Sequence, residues 1–165
     1  MSWLDRFRKV RISPEALAQS LFDVFVQEDC NEQLTERARV PEELLARFDE
    51  KIELYNEALV LMVLASESQI HAGFERVLQA YEAIIFGVSP MASGFDKAIT
   101  IRSAMNDLNT LLGNGAARRE LSWSMAWFEE VGHRETNPAV LSLFAAFWMD
   151  RYIAAVKSTK EFAPA

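Results

Sequence analysis

The chain predicts an all-α, single-domain bundle of five to six main helices, preceded by a short amphipathic N-terminal helix. Three observations carry that expectation. Apolar residues recur at spacings of three and four along most of the 165 residues, the period of a helix with one buried face. Glycine and proline are scarce, at 6 and 5 residues, so long loops have little to be built from. Ser13-Pro14 and Asn137-Pro138 each combine a capping side chain with a proline whose missing N–H does no harm in a first helical turn. With 50% hydrophobic and 25% charged residues, residues 1–165 fit one soluble domain. Residues 1–12 form its amphipathic leading segment, and 158–165 are expected to fray.

In order, Ser2 caps a short helix with Trp3, Leu4, Phe7 and Val10 on one face and Asp5, Arg6, Arg8 and Lys9 on the other. A second helix starts at Ser13-Pro14 and runs to about Asp29, burying Leu17, Leu21, Val24 and Phe25. Residues 31–40 connect it to a long apolar rhythm that begins at Pro41 and continues to Val88. One straight helix over that span would reach about 70 Å, too long for the domain. The polar run Ser66-Glu67-Ser68-Gln69 and nearby Gly73 place a break between residues 66 and 73. From Ala58 to Ala65 every residue is apolar, so this part is expected to be surrounded by protein.

Residues 87–94 read as a connector. Phe95 to Leu112 form the next helix, with Phe95, Ala98, Ile99, Met105, Leu108, Leu111 and Leu112 inward, and Gly113-Asn114-Gly115 stops it. Residues 116–131 should fold back as the second arm of a helical hairpin, capped by Gly132. On this arm Leu121, Met125 and Phe128 face one way while Trp123 and Trp127 widen the apolar arc. The last helix opens at Asn137-Pro138 and is apolar nearly all round from Ala139 to Val156. It is expected to touch the Ala58–Ala65 segment.

Charge and chemistry narrow the function classes. The net charge is -7; residues 1–12 hold four basic residues against one acidic, or +3, which leaves -10 for the rest. Such a surface repels a phosphate backbone, so nucleic acid is not an expected partner. A single cysteine, Cys30, offers no internal disulfide, and charged residues interrupt any secretory h-region near the start, so the expected location is the cytoplasm. Asp150-Arg151 interrupts the last apolar run, so no transmembrane span is expected.

No glycine-rich phosphate loop and no Gly-x-Ser-x-Gly elbow occurs. The 11 Phe and 4 Trp read as core rather than as an apolar ligand pocket. The one constellation that invites a catalytic reading pairs carboxylates with the two histidines: Glu67 with His71 at i,i+4, and Glu130 with His133 at i,i+3. Carboxylate-bridged metal bundles use two Glu-x-x-His pairs; this chain has one, interrupted by Gly132. The leading expectation is therefore a non-enzymatic protein-interaction domain acting as an adaptor, regulator, inhibitor or assembly factor. It would be a homodimer with no cofactor, using Trp123, Trp127, Trp3 and Phe7 as its contact surface. The alternatives are a metal-binding bundle using Glu67, His71, Glu130 and His133, and a membrane-surface protein anchored through residues 1–12.

Overall fold

The computed structural model describes residues 10–27, 32–87, 92–113 and 120–164. Seven α-helices lie among the described residues, six of them substantial. The chain enters through a three-residue strand, β1 (Val10–Ile12), then forms α1 (Pro14–Phe22) and a wide π-helical turn over Asp23–Gln27. A short α2 (Glu32–Ala38) follows, then the long α3 (Glu42–Ile70) and α4 (Gly73–Phe86). The second half comprises α5 (Ala92–Leu112), α6 (Glu120–Glu130), α7 (Pro138–Glu161) and a closing strand, β2 (Phe162–Pro164).

The helix ends follow local chemistry. Ser13 Oγ accepts from the Ala16 N–H at 3.2 Å, and Asn137 Oδ1 accepts from the Ala139 N–H at 3.0 Å, so both predicted caps satisfy an amide that the helix leaves free. The rhythm from Pro41 to Val88 does break where the polar run suggests. α3 stops at Ile70, His71 is extended at φ -134 and ψ 110, and α4 begins at Gly73. α6 ends with Gly132 at φ +89, while the N–H groups of Gly132 and His133 donate to the carbonyls of Glu129 and Phe128. That is the C-terminal pattern in which a left-handed residue lets the chain turn back on the last carbonyls.

α3, about 43 Å long at 1.5 Å per residue, is the axis on which the other helices are arranged. It packs against α4 and α5 along its length, and against α7 and the π turn. α1 packs on α4, with Phe22 and Tyr81 rings 6.4 Å apart. The expected contact between α3 and α7 is present: Tyr55 and Trp148 rings lie 5.6 Å apart, and Arg151 Nε donates to Asn56 Oδ1 at 2.7 Å. The other arm of that guanidinium donates to the Phe25 carbonyl, so one residue ties α7 to both α3 and the π turn.

Five expectations need correction. The helix expected over residues 13–29 changes to π geometry at Asp23, and its wider turn presents the Phe25 carbonyl to Arg151. The predicted α5–α6 hairpin is not the principal packing: α5 lies chiefly on α3, and α6 chiefly on α7. The buried side of α5 is Ile101, Ala104, Leu108 and Leu111, leaving Ile99 55% exposed, because that residue sits two positions from the stripe. On α6 Leu121 and Met125 are exposed while Trp127 and Phe128 are buried, the reverse of half the expected face. The tail expected to fray is ordered instead: α7 continues to Glu161 and β2 pairs in parallel with β1, Val10 opposite Phe162 and Ile12 opposite Pro164.

Candidate functional site

The aromatic core explains where the predicted contact residues lie. Trp127 is 2% exposed; its ring meets Phe48 at 5.3 Å, Phe144 at 4.6 Å and Tyr55 at 5.8 Å. It joins α3, α6 and α7 from within, so it is a core residue and not a contact surface. Trp123 is half-buried, stacked on Phe144 with its Nε1 donating to the Asp107 carbonyl at 3.0 Å. Trp3 and Phe7, like Cys30, lie outside the described residues.

The two carboxylate–histidine pairs are not brought together. Glu130 neighbours Lys51 on α3, whereas Glu67 is on α3 sixteen residues later, about 24 Å along the axis. Glu67 is buried and His71 is exposed beyond the helix end. His133 Nε2 lies 3.0 Å from the Ala38 carbonyl and its ring meets Phe128 edge-on, a structural tie between α2 and the end of α6. Among the described residues no group of three or more His, Cys, Asp and Glu is placed to hold a metal ion.

Two features remain with functional character. The first is the outward side of α7. Leu141, Phe144, Ala145, Trp148 and Ala155 face the core, while Ala146, Asp150, Ile153 and Lys157 are exposed at spacings of four, three and four, which places them on one stripe. Ile153 is 62% exposed. α7 is long and apolar enough by composition to cross a membrane, and 28% of its apolar stretch is buried inside the domain. Among the described residues neither Asp150 nor Lys157 forms an ion pair.

The second is a cleft of about 420 Å³ between α3, α5 and the end of α6, lined by Arg47, Glu50, Lys51, Tyr55, Asp107 and Glu130, with Thr100 and Ser103 on the α5 wall. Lys51 Nζ pairs with Glu130, lies 4.8 Å from the Trp127 ring centroid and 5.6 Å from that of Tyr55. Its side chain is 13% exposed. Burial holds the ammonium below the usual lysine range, against the opposing pull of Glu130 and Asp107. One turn further along α3, Tyr55 donates to Asp107 Oδ2 of α5 at 2.8 Å; burial, and then that bond, push the phenol upward so that it keeps its proton. Arg47 donates to the Glu130 backbone carbonyl at 2.6 Å. The cleft thus holds a dehydrated amine, a carboxylate bonded to it and a proton-bearing phenol within one concave surface.

Sequence reasoning passed over every polar member of this cleft except Glu130. They come from three helices, with Lys51 and Glu130 separated by 79 positions, and no local motif joins them. The available signal was Lys51 itself, a cation between Phe48, Ile52 and Tyr55 of a helix whose face is otherwise apolar. No protein-family model, curated protein or solved structure matches this chain, so its functional reading rests on its own geometry.

Proposed function

We propose that the protein is an interaction domain that acts as a homodimer, with α7 packed antiparallel against α7 of a second copy. The observation that supports this reading is the exposed stripe Ala146, Asp150, Ile153 and Lys157 on a helix whose other side is built into the aromatic core. A two-fold contact is self-complementary: if residue i meets residue j, then j meets i. A crossing centred between Ile153 and Ala154 sets Asp150 against Lys157 of the partner subunit and Lys157 against Asp150 of the partner subunit. Each of these charges, without an ion pair among the described residues, then gains an opposite charge, and the exposed Ile153 is covered at the centre, where the small side chain of Ala154 allows close approach.

Sedimentation equilibrium of the full chain tests this. The expected result is a dimer that Asp150→Lys and Lys157→Asp each weaken through like-charge repulsion, and that the double exchange restores. Ile153→Asp should give a folded monomer. A monomeric wild-type protein at high micromolar concentration, a double exchange no better than either single change, or recovery of the folded chain only with lipid vesicles would each overturn the reading.

A further inference from the structure

We propose that the cleft around Lys51 is a binding site for a small, neutral, hydroxylated aldehyde or ketone, which the Lys51 amine captures as an imine. Three features of the cleft support this. It has the volume of a small-ligand site, it is bordered by α3, α5 and α6, and its one primary amine is taken largely out of water beside a carboxylate. Three carboxylates, Glu50, Asp107 and Glu130, border it against two cations, Arg47 and Lys51. The balance disfavours a ligand that carries its own carboxylate or phosphate. Thr100 and Ser103 add hydroxyl groups on the α5 wall that can accept from, or donate to, a ligand hydroxyl.

The chemistry closes without any other reagent. Glu130 takes a proton from the Lys51 ammonium to which it is bonded, leaving the nitrogen lone pair free. That pair forms a C–N bond to the carbonyl carbon as the carbon–oxygen π bond becomes the hydroxyl of a carbinolamine, the nitrogen proton moving to oxygen. Glu130 returns its proton to that hydroxyl, the C–O bond breaks, water departs and the C=N bond forms with Lys51. The carboxylate bonded to the amine is thus both acceptor and donor of the same proton. The Tyr55–Asp107 bond ties the Lys51 helix to the α5 wall and keeps a neutral hydroxyl beside the amine.

The test is competitive labelling of the intact folded chain with glycolaldehyde and sodium cyanoborohydride, which fixes an imine as a secondary amine, followed by peptide mass mapping. Lys160 is exposed and lies outside the proposed dimer contact, and it serves as the internal reference. The expected result near neutral pH is modification of Lys51 severalfold faster than Lys160, since burial leaves more of the Lys51 amine unprotonated and the bonded Glu130 carboxylate can move its proton. Glu130→Gln leaves more of the Lys51 amine free, because the Glu130 charge favours the ammonium, so the expected fall in the Lys51 rate with Lys160 unchanged isolates loss of the proton shuttle; Lys51→Arg should remove the fast site with circular dichroism retained. Lys51 reacting no faster than Lys160, or a Glu130→Gln protein with an undiminished Lys51 rate, would overturn the proposal.

Discussion

Trp127 and Trp123 sit four residues apart on α6 yet have different jobs, and substitution should separate them. The indole N–H of Trp127 finds no acceptor among the described residues, so its contribution is ring packing together with the Lys51 ammonium at its face. Trp127→Ala should cost about 3–5 kcal/mol of unfolding free energy as an aromatic truncation in a full core, whereas Trp127→Phe removes an unpartnered donor along with part of the ring and should cost much less. At Trp123 the order narrows: even Trp123→Phe loses the bond to the Asp107 carbonyl, about 0.5–1.5 kcal/mol. Urea denaturation of the three variants checks both statements; a Trp127→Ala protein as stable as wild type would show that the ring is not core. Glu57 supplies a pH test at the same scale. Its side chain is 4% exposed and paired with Lys97 at 2.8 Å. Burial pushes its carboxyl above the unfolded value of 4.5, with Lys97 pulling it back. A raised folded pKa means that the stabilising contribution is fully present below about pH 4.5 and is lost as pH rises through the folded value. Glu57→Gln removes that titration, so wild type should lose stability relative to the variant as pH rises above about 4.5. A difference that instead moves in favour of wild type as pH rises would mean that the Lys97 charge outweighs desolvation.

At the scale of elements, the features legible in the sequence are those fixed by neighbours along the chain. Ser13 and Asn137 cap because an oxygen there meets an amide two or three residues on, and the α3–α4 break falls at a polar run beside a glycine. The burial of α5 and α6 was less legible because both helices carry apolar residues on more than one side. Which side turns inward depends on α3 and α7, which local spacing does not contain. Ile99, Leu121 and Met125 were therefore assigned to the core and lie exposed. The same reason hid the cleft, since Lys51, Asp107 and Glu130 become neighbours only after three helices dock. The end of α6 carries the element-scale prediction. Gly132 has φ +89 and a Cβ there would meet Leu44 and Arg47 at 3.7 and 3.8 Å, ordinary contact distances. Gly132→Ala should therefore cost about 1–2 kcal/mol from backbone strain alone, and Gly132→Asn less, because asparagine enters the left-handed region more readily. Equal thermal midpoints for wild type and the alanine variant would show that the turn does not need that conformation.

For the whole molecule the least expected feature is the joining of its two distant segments. Val10–Ile12 offers only three residues of strand pattern, and Phe162–Pro164 ends in a residue that cannot donate, so neither reads as sheet in isolation. Their parallel pairing arises because α7 delivers Phe162 to the place where the chain enters α1. β2 touches α1, α4 and α7 as well as β1, and Phe162 packs on the core while remaining half-exposed. The ribbon therefore ties the first helix layer, α1 with α4, to the aromatic layer of α3, α6 and α7. Removing residues 162–165 should withdraw that tie and the partial burial of one phenylalanine, costing about 1–2 kcal/mol, somewhat below the full burial value. The truncated chain should still unfold in a single transition, because α3 runs through both layers and packs directly on α4, α5 and α7. Two-probe unfolding in a Trp3→Phe background checks this: tryptophan fluorescence then reports the α6–α7 layer, which holds Trp123, Trp127 and Trp148, while far-ultraviolet circular dichroism reports all helices. Coincident curves before and after truncation would support one cooperative domain. A fluorescence transition separated from the dichroism transition in the full chain would instead divide the molecule into independently folding parts, with α3 belonging to only one of them.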